Sequence, residues 1–204
     1  MCMPSFVQKT DRAAATRDLL MRSARTAFES DGFDGTSVSR IVELADVSRG
    51  TFYLYFDSKE AVFRTLVDQL QDQILAAQVW PATMAGPEMV RAAIGQFMEF
   101  YRSHAQMMAV LDQVAAHSPE FRQLRLDMRR GVAVAARRFI ESQRHRNMMS
   151  STIDPRTAAT ALTGMIDRFA YVWFVLEEDF DMEVATDTLT ELWIRSIGGD
   201  YPVD

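Results

Sequence analysis

The chain has one cysteine, Cys2, and three histidines, His104, His117 and His145, among 204 residues. A single cysteine forms no internal disulfide, and one cysteine with three scattered histidines builds no metal site. A reducing cytoplasm is the simplest setting. No apolar run approaches the roughly 20 residues of a membrane span. The first residues, MCMPSFVQKT, have no charged region leading into an apolar stretch, so no signal peptide or membrane association is expected. Lysine is scarce: Lys9 and Lys59 are the only two among 22 basic residues. No nucleophile–base pair, carboxylate dyad or metal-ligand spacing is visible, and no cofactor, metal or catalytic residue is assigned. A net charge of −6 excludes nonspecific coating of nucleic acid, although specific DNA binding depends only on local charge.

Hydrophobic residues make up 48% of the chain, enough for a packed core, and they recur at helical spacing almost throughout. No strand is expected. The fold class is all-α, with about nine helices. The first runs from about Arg12 to Asp31, with Leu19, Leu20, Ala24, Ala27 and Phe28 inward and Gly32 as its stop. The second starts near Ser37, capped by Thr36 or Ser37. Ala45, Asp46 and Val47 turn into a third helix capped by Ser48. Asp57 or Ser58 caps a fourth from Lys59 to about Val79, and Asp57 with Glu60 has the spacing of a capping box. Five more follow, over about 88–103, 106–117, 119–144, 155–178 and 182–197. Ser118-Pro119 and Asp154-Pro155 are start signals, and Asn147 to Ile153 reads as a loop. Two domains are expected, 1–58 and 59–204.

Residues Thr36 to Lys59, TSVSRIVELADVSRGTFYLYFDSK, have the chemistry of a DNA reader. Val38, Ile41 and Val42 supply one buried face, and Val47, Phe52 and Phe56 supply the facing one. Gly50 lets backbone approach the floor of a major groove, and Thr51 can bond a base edge or touch a thymine methyl. Arg40, Arg49, Tyr53, Tyr55 and Lys59 carry groups that can bond phosphates, and Ser37 and Ser48 are further candidate DNA contacts. Tyr55 can instead pack with only its hydroxyl exposed, and Arg40 can instead be solvated. Lys9 and Arg12 are either a basic minor-groove arm or a plain tail.

These positions resemble the N-terminal region of the TetR family of bacterial transcriptional regulators. The family pattern is a glycine-aromatic pair, then T-V-x-x-I-A, A-G-V-S-x-G-T-x-Y-x-Y-F and x-S-K-E. Here it stands as Gly32-Phe33, Ser37-Val38-x-x-Ile41-Val42, then Ala45 through Phe56 (ADVSRGTFYLYF), and Ser58-Lys59-Glu60. The match covers about Arg12 to Phe63. Two departures stand out. Val42 replaces an alanine, and Asp46 replaces a turn glycine, where aspartate tolerates a left-handed backbone better than most residues.

The resemblance implies a helix-turn-helix domain followed by a helical ligand-binding and dimerisation domain. It further implies a homodimer on a palindromic double-stranded operator, a repressor released by a small molecule, and a bacterial cytoplasmic location. It also implies that the fourth to seventh helices enclose a cavity and that the last two pair with a second subunit. Bulky residues compatible with such a cavity are Phe97, Phe100, Tyr101, Met107, Met108 and Leu111, then Phe121 and Met128, then Met165, Phe169 and Trp173. Each is also readable as ordinary core, the commoner outcome residue by residue. Leu162, Ile166, Val172 and Leu176, with Leu189, Leu192 and Trp193, are the candidate dimer surface. Asp167 and Arg168 can orient the polar end of an apolar or amphipathic ligand, or lie at the dimer edge. Arg129, Arg130, Arg137, Arg138, Arg144 and Arg146 are either a solvated face or a seat for an anionic tail such as an acyl-CoA. The reading from a different class is an all-helical carrier or enzyme without DNA binding.

Overall fold

The computed structural model describes residues 5–76, 86–145 and 153–198, with side chains from residue 12 onward. Among these residues there are eight helices and no strand: α1 (Ser5–Gly35), α2 (Val38–Leu44), α3 (Arg49–Tyr53), α4 (Lys59–Ala76), α5 (Pro87–His117), α6 (Pro119–His145), α7 (Pro155–Phe174) and α8 (Met182–Ser196). The chain divides into two compact units, Met1–Leu70 and Gln71–Asp204, with the point of division inside α4.

Eight helices stand where about nine were expected because α5 is continuous. Ser103-His104-Ala105 contains no proline or glycine, and the His104 ring bonds the Phe100 carbonyl one turn back at 2.7 Å. The helix breaks at Gly32, which takes the non-helical φ 70°, ψ 175° expected of a stop, and a short helical turn follows to Gly35. At that bend the Thr36 hydroxyl donates to the Gly32 carbonyl at 2.7 Å, which leaves Ser37 as the cap of α2. Ser58, not Asp57, caps α4, its Oγ accepting from the Ala61 amide at 3.2 Å. α7 ends at Phe174, short of Glu178, and Glu177 adopts φ 61° in the link to α8. The expected end near Val79, the reading of Lys9, the loop from Asn147 and the role of Arg146 lie outside the described residues or side chains.

The first unit packs Leu20, Ala24, Ala27 and Phe28 of α1 with Ile41, Phe52, Phe63 and Val67. Leu19 is only half-buried, and Met21 takes the inward position beside Leu20. Phe28, Phe33 and Phe63 form a ring cluster with centroids 5.0–5.6 Å apart, a favourable aromatic spacing. In the second unit α5 packs against α6, α7 and α8. Its inward stripe, including Ile94, Met98, Tyr101, Met108 and Leu111, is nearly or fully buried.

Candidate DNA-reading head and ligand cavity

The reading head is assembled by short-range hydrogen bonds. The Ser37 hydroxyl accepts from the Arg40 amide at 3.2 Å and starts α2. The Val47 amide returns to the Val42 carbonyl at 3.1 Å across the turn, and Asp46 sits there at φ 50°. Aspartate thus occupies a left-handed position that glycine takes without steric cost. Ser48 accepts from the Thr51 amide at 3.0 Å and shares a 2.9 Å hydroxyl–hydroxyl contact with the Thr51 side chain. These bonds satisfy amides at the start of α3 that have no intrahelical partner.

Phe52 and Phe56 are buried and anchor α3, while Tyr53 is exposed, its ring edge-on to Phe52. Tyr55 is half-buried, and Leu54, a residue not singled out from sequence, is 82% exposed. Gly50 is exposed, and a Cβ built there would meet only Ser48 Oγ, at 3.6 Å. The fold therefore has room for a side chain at this position.

The cations divide. The Arg49 guanidinium is held by the Ser39 hydroxyl on α2. Arg40 pairs with Asp31 at 3.3 Å and Glu43 at 3.4 Å and stays partly exposed. Lys59 has partners inside the head that its sequence position does not suggest. Its ammonium donates to the Phe33 carbonyl at 2.8 Å and the Thr36 carbonyl at 3.0 Å, and lies 4.5 Å from the Phe33 ring centroid. Those carbonyls follow the Gly32 kink and lack helical partners, so the lysine closes the end of α1.

In the second unit two cavities share Phe97, Val132 and Thr163 as walls. The smaller, about 100 Å³, is almost wholly apolar and includes Ile94, Ala136 and Phe139. The larger, about 340 Å³, has Ile74, Phe97 and Met128 on its apolar side and Arg125, Arg129 and Asp167 at its polar end. Arg125 is 6% exposed. Its Nε donates to Asp112 at 2.8 Å and one terminal nitrogen to both Asp167 oxygens at 2.9 and 3.1 Å. Arg129 also reaches Asp167, at 2.8 Å. Burial pulls the Arg125 guanidinium down, but the charges of Asp167 and Asp112 outweigh it and hold its proton above the ordinary range.

The profile described as "Bacterial regulatory proteins, tetR family" matches residues 20–66, the reading head. A second, "Transcriptional regulator EthR, C-terminal domain", matches residues 90–199. The HTH-type transcriptional regulator EthR of Mycobacterium tuberculosis (strain CDC 1551 / Oshkosh) is 32% identical over 187 residues, 89% of this chain and 86% of its own. The chain belongs to the TetR family. It is a helix-turn-helix transcriptional regulator, as its relatives are named. The EthR of Mycolicibacterium smegmatis is 29% identical over 95% of this chain and 89% of its own. A tetR-family regulatory protein from Rhodococcus RHA1 shares the fold at a TM-score of 0.76 and 20% identity, covering 91% of this chain and 98% of its own.

In this TetR-family regulator the bulky residues readable as either cavity lining or core divide between the two. Phe97 and Met128 line the larger cavity, whereas Phe100, Tyr101, Met107, Met108, Leu111 and Phe121 are packed core. Met165, Phe169 and Trp173 are not among the cavity walls either, and the rings of Phe169 and Trp173 meet that of the partly exposed Phe180 at tilted and edge-on angles. The expected dimer surface also divides. Leu162, Ile166, Leu189 and Trp193 are buried within the subunit, and Ile166 and Trp193 line the smaller cavity. Leu176 and Leu192 are 55% and 50% exposed and Val172 is half-buried, with Phe180 and Val184 also open to solvent. Of the arginines on α6, Arg129, Arg130 and Arg137 are engaged by Asp167, Asp127 and Glu141. Among the described residues, no helix is long and apolar enough to cross a membrane.

Proposed function

We propose that this regulator is a cytoplasmic homodimeric repressor. It holds a palindromic operator through two copies of the head and releases it when a small apolar or amphipathic molecule occupies the larger cavity. The observation that carries the DNA-binding part is Gly50, an exposed glycine on α3 that the subunit's own packing does not require. Beside it, Thr51 would read a base edge. Tyr53, Arg49, Ser48, Ser37, Arg40 and the Tyr55 hydroxyl would bond phosphates. Lys59 is left out of that set because its ammonium already serves two carbonyls. The dimer would form on Val172, Leu176, Phe180, Val184 and Leu192, an apolar face open to solvent in one subunit. Two-fold pairing doubles the contacts of a short head. A ligand shifts the DNA-bound population only by its difference in affinity for the two states. α4, which carries residues of both units, is the element we assign to that coupling.

Fluorescence anisotropy with DNA from upstream of the protein's own coding sequence tests this reading. Specific binding is expected, with Tyr53→Phe weakening all sequences alike and Thr51→Ala changing sequence preference. Absence of binding to that DNA and across a genomic library would favour a carrier without DNA function.

A further inference from the structure

Leu54 is, at 82%, the most exposed large apolar side chain among the described residues. A lone exposed leucine on an ordinary surface needs no explanation. Leu54 is placed differently. It caps the C-terminus of α3 with the helical φ −73°, ψ −19°. Coming four residues after Gly50, it lies on the same helix face, one turn further on. Gly50 is open to solvent there, and Tyr53 next to Leu54 is exposed as well. Phe52 and Phe56 supply the buried anchor of this segment, and Leu54 takes no part in it.

The charge of the first unit gives neutral contacts more weight. Met1–Leu70 holds nine lysines and arginines against ten aspartates and glutamates, a net charge of −1. Its cations on and around α3 are engaged: Arg40 pairs with Asp31 and Glu43, Arg49 is held by Ser39, and Lys59 serves two backbone carbonyls. Attraction to phosphates, the sequence-independent part of DNA affinity, is correspondingly small. A phosphate oxygen offers a leucine nothing. On the base edges of the major groove the apolar group is the C5 methyl of thymine. Covering it removes apolar surface from water on both sides of the contact.

We propose that Leu54 is a sequence-reading residue whose side chain covers the C5 methyl of one thymine in each half-site. This rests on the reading of α3 as the element that faces the major groove. Leu54 would act beside Thr51, which lies three residues earlier and can bond a base edge.

The test uses the full chain and a DNA site selected from a random duplex pool by the wild-type protein. Each thymine of that site is replaced in turn by 2′-deoxyuridine, which lacks the C5 methyl and keeps every hydrogen-bonding group. Loss of one covered methyl should weaken wild-type binding about fourfold at one thymine position of each half-site. Leu54→Ala should bind the thymine and uracil forms equally at that position, whereas Thr51→Ala should still distinguish them there. Because the side chain is exposed, Leu54→Ala should melt at the wild-type temperature. If Leu54→Ala keeps every thymine–uracil difference of wild type, the proposal is overturned. A loss of affinity for all sequences alike, the mark of contact with deoxyribose, overturns it too. If Thr51→Ala and Tyr53→Phe change binding and Leu54→Ala does not, only the assignment of Leu54 fails. If none of the three changes it, the reading of α3 as the DNA-facing element fails as well.

Discussion

Replacing Lys59 by methionine separates two roles that one lysine cannot fill equally. Its ammonium spans two carbonyls at 2.8 and 3.0 Å and lies over the Phe33 ring at 4.5 Å. Methionine has similar length and adapts to apolar surroundings, so packing along the stem is largely kept. What is lost is two charge-assisted bonds, each worth about 1.5–3 kcal/mol in a protected site, and a ring contact worth about 0.5–1 kcal/mol. Lys59 is only half-buried, so solvent competes for all three. Taking the lower ends and allowing water to reach the freed carbonyls gives a loss of about 2–3 kcal/mol. The unit that contains these contacts is Met1–Leu70. For a domain of that size 1 kcal/mol moves Tm by about 4–8 °C, so its transition should fall by roughly 10–20 °C.

Calorimetry or circular dichroism, with probes that separate the two units, measures the shift. Anisotropy with operator DNA at several salt concentrations, well below the transition, measures the other role. A lysine on a phosphate adds about one to the slope of log K against log salt. The expected pattern is a large fall in Tm with the salt slope unaltered. An unchanged Tm together with a slope lower by about one would refute the assignment of Lys59 to the α1 terminus and restore it to the DNA contacts.

The turn at Asp46 can be tested in both directions. Asp46→Gly should be neutral or stabilising by up to about 1 kcal/mol, because relief of the left-handed backbone is offset by glycine's entropy. Asp46→Val should cost about 1–2 kcal/mol, and equal stabilities by denaturant titration would contradict the φ of 50°. Asp167→Ala strips Arg125 of one of its two carboxylates and should destabilise the second unit by about 3 kcal/mol; a loss below about 1 kcal/mol would mean that water replaces the pair. Leu192→Glu should shift the protein from dimer to monomer in sedimentation and weaken operator binding, and an unchanged dimer would remove this face from the interface. At α7, the Thr157 hydroxyl and amide both bond Asp154 and hold its carboxyl below the ordinary 3.8. A depressed carboxyl contributes stability above its unfolded value and loses it as pH falls through the folded one. The stability gap between wild type and Asp154→Ala should therefore be constant at neutral pH and close progressively below pH 3.8.

The reading head was readable from sequence because what shapes it is local. Ser37 and Ser48 each cap an amide three residues ahead, and Asp46 sets one dihedral within its own turn. The bonds of Lys59 were not legible because its partners lie 23 and 26 residues earlier, where nothing in the sequence connects them to it. Arg125 was missed for the same reason, since Asp167 is 42 residues away. The cavity walls were not legible for a different reason. Methionine and aromatic residues fit either a ligand site or ordinary core, and large adaptable side chains are what fill space, as Met107, Met108 and Leu111 do. A cavity persists where facing positions are too small to meet. The signal lies in Ala93, Ala135 and Ala136 around the smaller space, and in Ala133, Thr160 and Gly164 around the larger. Ala133 and Ala136, and Thr160 and Gly164, sit three and four residues apart, so each pair shares one helix face. In a helical ligand domain the productive search is therefore for small residues at helical spacing on helices that pack together. A polar group among them then marks the polar end of the cavity, as Asp167 does on the same helix as Thr160 and Gly164.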